Sequence, residues 1–179
     1  AVGEVVFSGA CRAWGRCHAR DMAFRPKALL LIALAAMTVT GLSARSGFTW
    51  DELNTIDQKW PQSTMTTTGL RYVVLQPGHG DLPKPGEQVK VLFKGMFFDG
   101  KVFDQTNGPL EPFTFRLGRG QVIEGWEEGI AMMRVGEKRI LIVPYDLAYG
   151  SRGQLPRIPR QKSLVFEVEL IAIDPVDKP

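Results

Sequence analysis

The sequence has few of the residues on which most hydrolytic and metal-dependent enzymes rely. It contains two cysteines and two histidines among 179 residues. Cys11 and Cys17 both lie within the first 44 residues, and their spacing fits no common zinc or disulfide pattern. His79 stands in PGHGD, a composition typical of a turn. Residues 45–179 therefore offer no thiol, no disulfide and no histidine-rich metal site, and they argue against a Ser–His or Cys–His nucleophile.

An excess of one charge is also missing from most of the chain. The net charge is +3, but residues 1–44 carry five Lys or Arg against two acids. From Arg45 onward, 17 basic residues meet 17 acidic ones. Because no net positive field remains there, we expect no nucleic-acid partner.

The long apolar run needed for a membrane span is absent as well. Arg25 and Lys27 follow Met22, and the apolar stretch 28–39 comes next. This order is typical of a secretory signal, and the stretch is shorter than the roughly 20 residues that cross a bilayer. We expect a periplasmic or secreted protein with no stable membrane span once the leader is cleaved. An organellar (thylakoid-type) lumen and an uncleaved membrane anchor are the alternatives.

Residues 1–21 allow two interpretations. They are an over-extended reading frame whose true start is Met22, or the arginine-rich CRAWGRCHAR (11–20) is part of an organellar presequence. The chain then divides into a leader (1–44), a short helix with a polar linker (45–66), a folded domain (67–174) and a tail (175–179).

The segment FTWDELNTIDQKWP (48–61) predicts a short helix ahead of the main domain. Thr49 is a favoured capping residue, acidic residues follow it, and Pro61 ends the segment. One face is partly apolar, so the helix could pack on the domain, contact a partner or remain mobile. We favour loose packing.

After the linker, the pattern changes to β-strands rich in β-branched and aromatic residues. The predicted strands are 70–75, 89–97, 113–117, 139–144 and 164–173. In the last strand, apolar residues from Phe166 to Leu170 alternate with glutamates, which is typical of a sheet with one buried face. The Asp-Gly pair in FFDGKVFD (97–104) predicts a hairpin.

One amphipathic helix interrupts the strands between residues 123 and 133. Its apolar residues share a face at helical spacing: Val122, Trp126, Ile130 and Met133. Glu124 and Glu128 project on the opposite, wet side. A hydrolytic pair needs two carboxylates that flank the substrate, so these two glutamates do not form one. One sheet covered by one helix makes an α+β fold.

These segments, in this order, resemble the FKBP-type peptidyl-prolyl cis–trans isomerases, the macrolide-binding immunophilins. The matching segments are LFKGMFFDGKVFD (92–104), PFTFRLGRGQVIEGWEEGIAMMRVGEKR (112–139), AYGSRG (148–153) and LVFEVEL (164–170). The resemblance implies an α+β fold in which an antiparallel sheet of five to six strands wraps around one short α-helix. It also marks 67–174 as the isomerase domain.

The resemblance implies that the substrates are X-Pro bonds in polypeptide clients, here exported or lumenal proteins that need help in folding. Rotation about such a bond is slow but cleaves nothing, so no nucleophile, metal or cofactor is expected. A pocket that fits the twisted amide better than the planar one lowers the barrier. We expect a monomer that also binds macrolide inhibitors. The alternative is a chaperone or assembly module of the same fold, which grips proline-containing loops with little or no catalysis.

The resemblance also implies a set of site residues. Those expected to bind substrate are Phe93, Phe103, Asp104, Phe113, Val122, Ile123, Trp126, Tyr149, Ile158 and Phe166. The catalytic group among them is Phe103, Asp104, Ile123, Trp126 and Tyr149. Trp126 would form the base of the pocket, Tyr149 would donate a hydroxyl, and the backbone N–H of Ile123 would meet a substrate carbonyl.

The sequence departs from the family pattern around the acid. Phe93 stands where the family often has tyrosine, and Pro109 stands where a basic residue commonly pairs with the acid. We therefore expect Asp104 to lose both partners. The following loop, QLPRIPRQK (154–162), places Arg157 and Arg160 beside the expected rim. These arginines are either part of a solvated loop or favour substrates with acidic residues near the proline.

Overall fold

The computed structural model describes residues 47–174, which contain two α-helices and seven β-strands. In chain order the elements are α1 (Trp50–Lys59), β1 (Thr64–Met65), β2 (Arg71–Gln76), β3 (Gln88–Met96), β4 (Val102–Gln105), β5 (Phe113–Arg116), α2 (Glu124–Ala131), β6 (Lys138–Val143), a 3-10 turn (Tyr145–Leu147) and β7 (Leu164–Asp174). The predicted leader and tail lie outside these residues. Within 47–174 no helix combines the length and apolarity needed to cross a bilayer.

All strand pairs are antiparallel, and the strand order is β1-β2-β6-β7-β3-β4, with β5 also paired to β3. β7 is central because it pairs with β6 on one side and with β3 on the other. The predicted alternation is confirmed: Phe166, Val168 and Leu170 are buried, at 3%, 0% and 0% exposure. The hairpin predicted at Asp99-Gly100 joins β3 to β4, and the α+β fold class is confirmed.

α2 packs against the sheet face that carries Phe166. Trp126 is 4% exposed, and Ile130 is fully buried. Two glycines one turn apart bring the helix close to β6. A Cβ added at Gly129 would lie 2.7 Å from the Leu141 side chain, and one at Gly125 would lie 2.5 Å from the Val143 side chain. The close approach of α2 to the sheet therefore requires glycine at both positions.

α1 is bound to the other face of the sheet, so the prediction of loose packing is wrong. Ile56 is fully buried and clusters with Phe48, Ile142 and Val165. Val165 precedes Phe166 in β7 and therefore points to the opposite face. The sequence pattern predicts a wet outer face there, but Ile142 and Val165 form an apolar strip that α1 covers.

The start of α1 is fixed as the sequence predicts. The Thr49 side chain accepts a hydrogen bond from the Glu52 N–H at 3.3 Å, and the Glu52 carboxylate accepts one from the Thr49 N–H at 2.9 Å. This reciprocal capping box satisfies two backbone donors at the helix terminus. Trp50 nevertheless points outward, at 81% exposure. The predicted linker is partly structured, because Thr64–Met65 pairs with β2.

Candidate functional site

Four phenylalanine rings surround Trp126 on the inner face of the sheet. The Phe93 and Phe166 ring centroids lie 5.0 and 5.2 Å from that of Trp126, at interplanar angles of 78° and 82°. Phe113 and Phe115 follow at 6.0 and 6.2 Å. Edge-to-face packing of this kind stabilises aromatic clusters beyond the area that they bury.

A cavity of about 150 Å³ opens above this cluster. Its lining residues are Phe93, Phe103, Asp104, Phe113, Gln121, Val122, Ile123, Trp126, Tyr149 and Phe166. We call it the aromatic cavity. Nine of the ten residues proposed from the sequence line it. The tenth, Ile158, is 1% exposed and packs in the core instead.

Gln121 also lines the cavity, although sequence reasoning missed it. It lies in the loop before α2, and its side-chain oxygen accepts a hydrogen bond from the Arg116 N–H at 2.8 Å. Its position directly before Val122 could have indicated that it lines the cavity, because the two residues share the loop that leads into the helix.

The aromatic rings that form the cavity walls come from different strands, and they can pack together only because one strand carries a glycine beneath them. Phe93 lies on β3, Phe103 on β4 and Phe166 on β7. A Cβ added at Gly95 would lie 2.7 Å from the Phe103 ring and 3.0 Å from the Phe166 ring. Glycine at this position of β3 therefore lets both rings lie over the backbone. Their own centroids are 5.7 Å apart.

Three polar groups of the lining form what we call the mouth: Asp104, Tyr149 and the backbone of Ile123. Ile123 is the N-cap of α2, and its carbonyl accepts hydrogen bonds from the N–H groups of Trp126 and Glu127 at 2.9 and 3.1 Å. Its own N–H donates no hydrogen bond within residues 47–174. That N–H is therefore available to a carbonyl oxygen brought in by a ligand.

Tyr149 is half-buried, and burial is the main cause that raises the pKa of its hydroxyl above the ordinary value of 10.0. The Asp104 charge raises that pKa further, while the Arg157 charge lowers it. A phenol with a raised pKa stays protonated at neutral pH. Tyr149 therefore presents a neutral hydrogen-bond donor at the mouth.

Asp104 does have a cationic partner, contrary to the expectation from Pro109. The Arg157 guanidinium donates from Nη1 to Asp104 Oδ2 at 3.1 Å. The Gln105 N–H donates to the other carboxylate oxygen at 3.0 Å. The sequence pattern missed this pair because the arginine comes from a loop about fifty residues further along the chain.

The helix glutamates are more engaged than the predicted wet face implies. Glu124 is exposed. The Glu127 carboxylate, however, accepts hydrogen bonds from the N–H groups of Gly118 and Gly120, and Glu128 accepts one from the Thr68 hydroxyl. None of the three glutamates lines the aromatic cavity. Glu127 and Glu128 therefore hold the helix in place, and Glu124 remains on the wet face.

A larger groove of about 810 Å³ lies elsewhere, between the loop at 80–87 and the end of β7. Its lining includes Leu82, Lys84 and Ile171 but no aromatic ring. Within residues 47–174, no cluster of histidine, cysteine and acidic residues could hold a metal ion. We therefore assign the candidate site to the aromatic cavity.

An antiparallel sheet with one helix packed on its inner face, and an aromatic cavity at the start of that helix, defines a small α+β domain with a compact, largely apolar cavity. The comparisons make this class specific. Residues 80–171 match the family described as FKBP-type peptidyl-prolyl cis-trans isomerase. The chain belongs to this family, and the enzyme class indicated by the sequence is confirmed.

Individual relatives agree with this assignment. FK506-binding protein 1 of Dictyostelium discoideum is 45% identical over 103 residues, covering 58% of this chain and 96% of that protein. FK506-binding protein 4 of the same organism is 44% identical over 123 residues, covering 68% of this chain and 33% of that protein. The crystal structure of a peptidyl-prolyl cis-trans isomerase from Pseudomonas syringae pv. tomato DC3000 superposes with a TM-score of 0.60 at 36% identity, covering 66% of this chain and 86% of that one.

Proposed function

We propose that this chain accelerates cis–trans rotation of X-Pro bonds, with the proline ring held in the aromatic cavity. The observation that carries the proposal is the enclosure of a volume of about 150 Å³ by aromatic rings above Trp126. Apolar cavities of that order hold a benzene-sized ring in other proteins. The five-membered ring of proline fits the same space, and the mouth then lies beside the amide that must rotate.

The proposed mechanism needs no covalent step. Rotation breaks the amide resonance, and the twisted amide is less polar than the planar one. Apolar walls therefore favour the transition state, and the Ile123 N–H and the Tyr149 hydroxyl hold the substrate carbonyls. Interactions that are stronger in the transition state than in the ground state raise the rate. A thousandfold acceleration needs about 4 kcal/mol, which ring contacts and one or two hydrogen bonds can supply.

We propose that the clients are exported or lumenal polypeptides and that macrolides compete for the same cavity. The first point rests on the signal-like segment from Met22, which lies outside the described residues. The second rests on relatives that are named for binding FK506. N-terminal sequencing of the native protein tests the first point, since cleavage would give a mature chain that starts near residue 45. Inhibition of turnover by FK506 tests the second.

The alternative is a module that grips proline-containing loops with little catalysis. It is favoured by one observation, namely that Phe93 lines the cavity without the hydroxyl that tyrosine would bring there. The two proposals share binding and differ in turnover. Binding of a proline peptide without acceleration would support the module.

A protease-coupled assay with proline peptides separates the two proposals. We expect the full chain to accelerate isomerisation, and Trp126→Leu to lower kcat/KM at least about tenfold, since it removes the base of the cavity. Glu124→Gln is the matched control on the same helix and should leave kcat/KM unchanged, because its side chain is exposed. Equal activity of Trp126→Leu and the unmodified chain would contradict the proposed site.

A further inference from the structure

We propose that Arg157 determines substrate preference by forming a cationic subsite at the mouth that favours an acidic side chain directly before the proline. This inference rests on the proposed function and adds a sequence preference to it. Arg157 donates to Asp104 Oδ2 at 3.1 Å, and Asp104 and Tyr149 both line the aromatic cavity. A residue adjacent to a bound proline therefore comes within reach of the guanidinium.

The Arg157 guanidinium has N–H donors beyond those that contact Asp104, and these can bind a second carboxylate. Arginine carries five N–H donors in a planar fork, and the contact with Asp104 uses the nitrogen Nη1. The Arg157 side chain is 58% exposed, so a ligand can reach it beside the mouth. A substrate glutamate can bind these donors without displacing Asp104, because charge-assisted bonds to arginine form through several nitrogens at once.

Arg157 also compensates the negative charge that Asp104 would otherwise leave at the mouth. Asp104 alone would place a negative charge at the mouth, which would repel an acidic substrate residue and attract a lysine. With Arg157 paired to it, that charge is compensated, and the guanidinium is the more exposed partner, at 58% against 44% for the Asp104 side chain. The Tyr149 hydroxyl feels both groups, since Asp104 raises its pKa and Arg157 lowers it. Both charges therefore act at the atoms where we expect the substrate to bind.

The loop that carries Arg157 is held in place rather than free. Gln154 and Ile158 exchange backbone hydrogen bonds of 2.9 and 2.8 Å, and Gly153 N–H donates to the Tyr149 carbonyl at 3.1 Å. Ile158, the next residue after Arg157, is buried in the core. The backbone on both sides of Arg157 is therefore anchored. Arg160 lies three residues further on, is exposed, and forms no ion pair within residues 47–174.

The test compares kcat/KM for matched peptides with Glu, Ala or Lys before proline, using the full chain at low salt. We expect the unmodified protein to prefer Glu over Lys about two- to fivefold, as an exposed ion pair allows. Arg157→Ala should bring the Glu-to-Lys ratio below one, because Asp104 is then uncompensated. Arg157→Lys should keep part of the preference, and Arg160→Ala, the matched control, should keep all of it. High salt should narrow every ratio.

Two results would overturn the subsite. One is a uniform loss of activity in Arg157→Ala with an unchanged Glu-to-Lys ratio. The other is an equal change in Arg160→Ala, which would point to a general field of the loop.

Peptide binding, followed by tryptophan fluorescence, separates this inference from the proposed function. Without turnover, tighter binding of the Glu peptide that depends on Arg157 would support the subsite and reject catalysis. Turnover without any Glu preference would reject the subsite alone, and the absence of both binding and turnover would reject both.

Discussion

At the residue scale, the mouth places a neutral phenol under the influence of two opposite charges. Asp104 and Arg157 are paired at 3.1 Å, and both act on the Tyr149 hydroxyl. The two charges shift the pKa of Tyr149 in opposite directions, and burial adds the largest upward shift. The hydroxyl therefore remains a donor over the whole physiological pH range.

Tyr149→Phe keeps the ring and removes only the donor. We expect kcat/KM to fall about two- to tenfold, the effect of one hydrogen bond worth about 0.5–1.5 kcal/mol. Since the pKa of Tyr149 is raised above 10.0, the hydroxyl stays protonated between about pH 6 and 9. The ratio of the two activities should therefore be constant across that range. A ratio that approaches one with a midpoint below pH 9 would contradict the raised pKa.

Gly95 shapes the aromatic cavity because its lack of a side chain leaves room for the Phe103 ring. Gly95→Ala would place a methyl group 2.7 Å from the Phe103 ring, so the ring must move into the cavity or the strand must shift. Overpacking of this kind costs about 1–3 kcal/mol. We expect lower stability in urea unfolding and a several-fold lower kcat/KM. Lys94→Ala, on the exposed side of the same strand, is the control, and wild-type values for Gly95→Ala would mean that the ring moves freely.

At the element scale, α2 is fixed to the rest of the domain at its first turn. The Glu127 carboxylate accepts hydrogen bonds from the backbone N–H groups of Gly118 and Gly120. Its negative charge also lies near the positive end of the helix dipole. The turn before α2 and the helix itself are thereby held together, and this turn leads directly to Gln121 and Val122 in the cavity lining.

Glu127→Gln should lower the free energy of unfolding by about 1–2 kcal/mol, because a charged acceptor of two backbone donors becomes neutral. Glu124→Gln lies in the same turn but is exposed, and it should change stability by less than about 0.5 kcal/mol. Urea unfolding of both variants measures the difference. Equal stability of the two variants would show that the Glu127 contacts contribute nothing.

At the scale of the whole molecule, the sheet carries apolar residues on both faces. α2 covers the inner face, while α1 covers the strip formed by Ile142 and Val165 on the outer face. Ile56 is the residue that joins α1 to the sheet, at 0% exposure. We infer that α1 belongs to the same cooperative unit as the isomerase domain.

Ile56→Ala should therefore destabilise the whole domain by about 2–4 kcal/mol, the usual cost of a buried large-to-small change. The fluorescence and far-UV circular dichroism transitions in urea should shift together, as expected for a two-state domain. Trp50→Ala is the matched control on the same helix, because its side chain is 81% exposed, and it should leave the transition in place. Early loss of helix signal alone would mean that α1 unfolds separately.

The order of segments in the sequence determined much of this protein. Period-two alternation in β7, the Asp-Gly hairpin and the amphipathic face of α2 each depend on neighbours within one element, so they could be predicted directly. The capping box at Thr49 is local in the same way. The family resemblance predicted that Trp126, Tyr149 and most of the aromatic residues line one pocket. It could do so because the family motifs occur in the same order along this chain.

Only the tertiary structure decided which groups meet across the chain. The ion pair between Asp104 and Arg157 joins residues 53 positions apart, so no local sequence pattern predicts it. The burial of Ile158 and the covering of Val165 by α1 likewise depend on which faces are already occupied. The period-two pattern of a strand predicts on which face of the sheet a side chain lies. It does not predict which residues from other elements pack against that face. For that reason the sequence determined the fold and the aromatic set, and the tertiary structure decided the charge at the mouth.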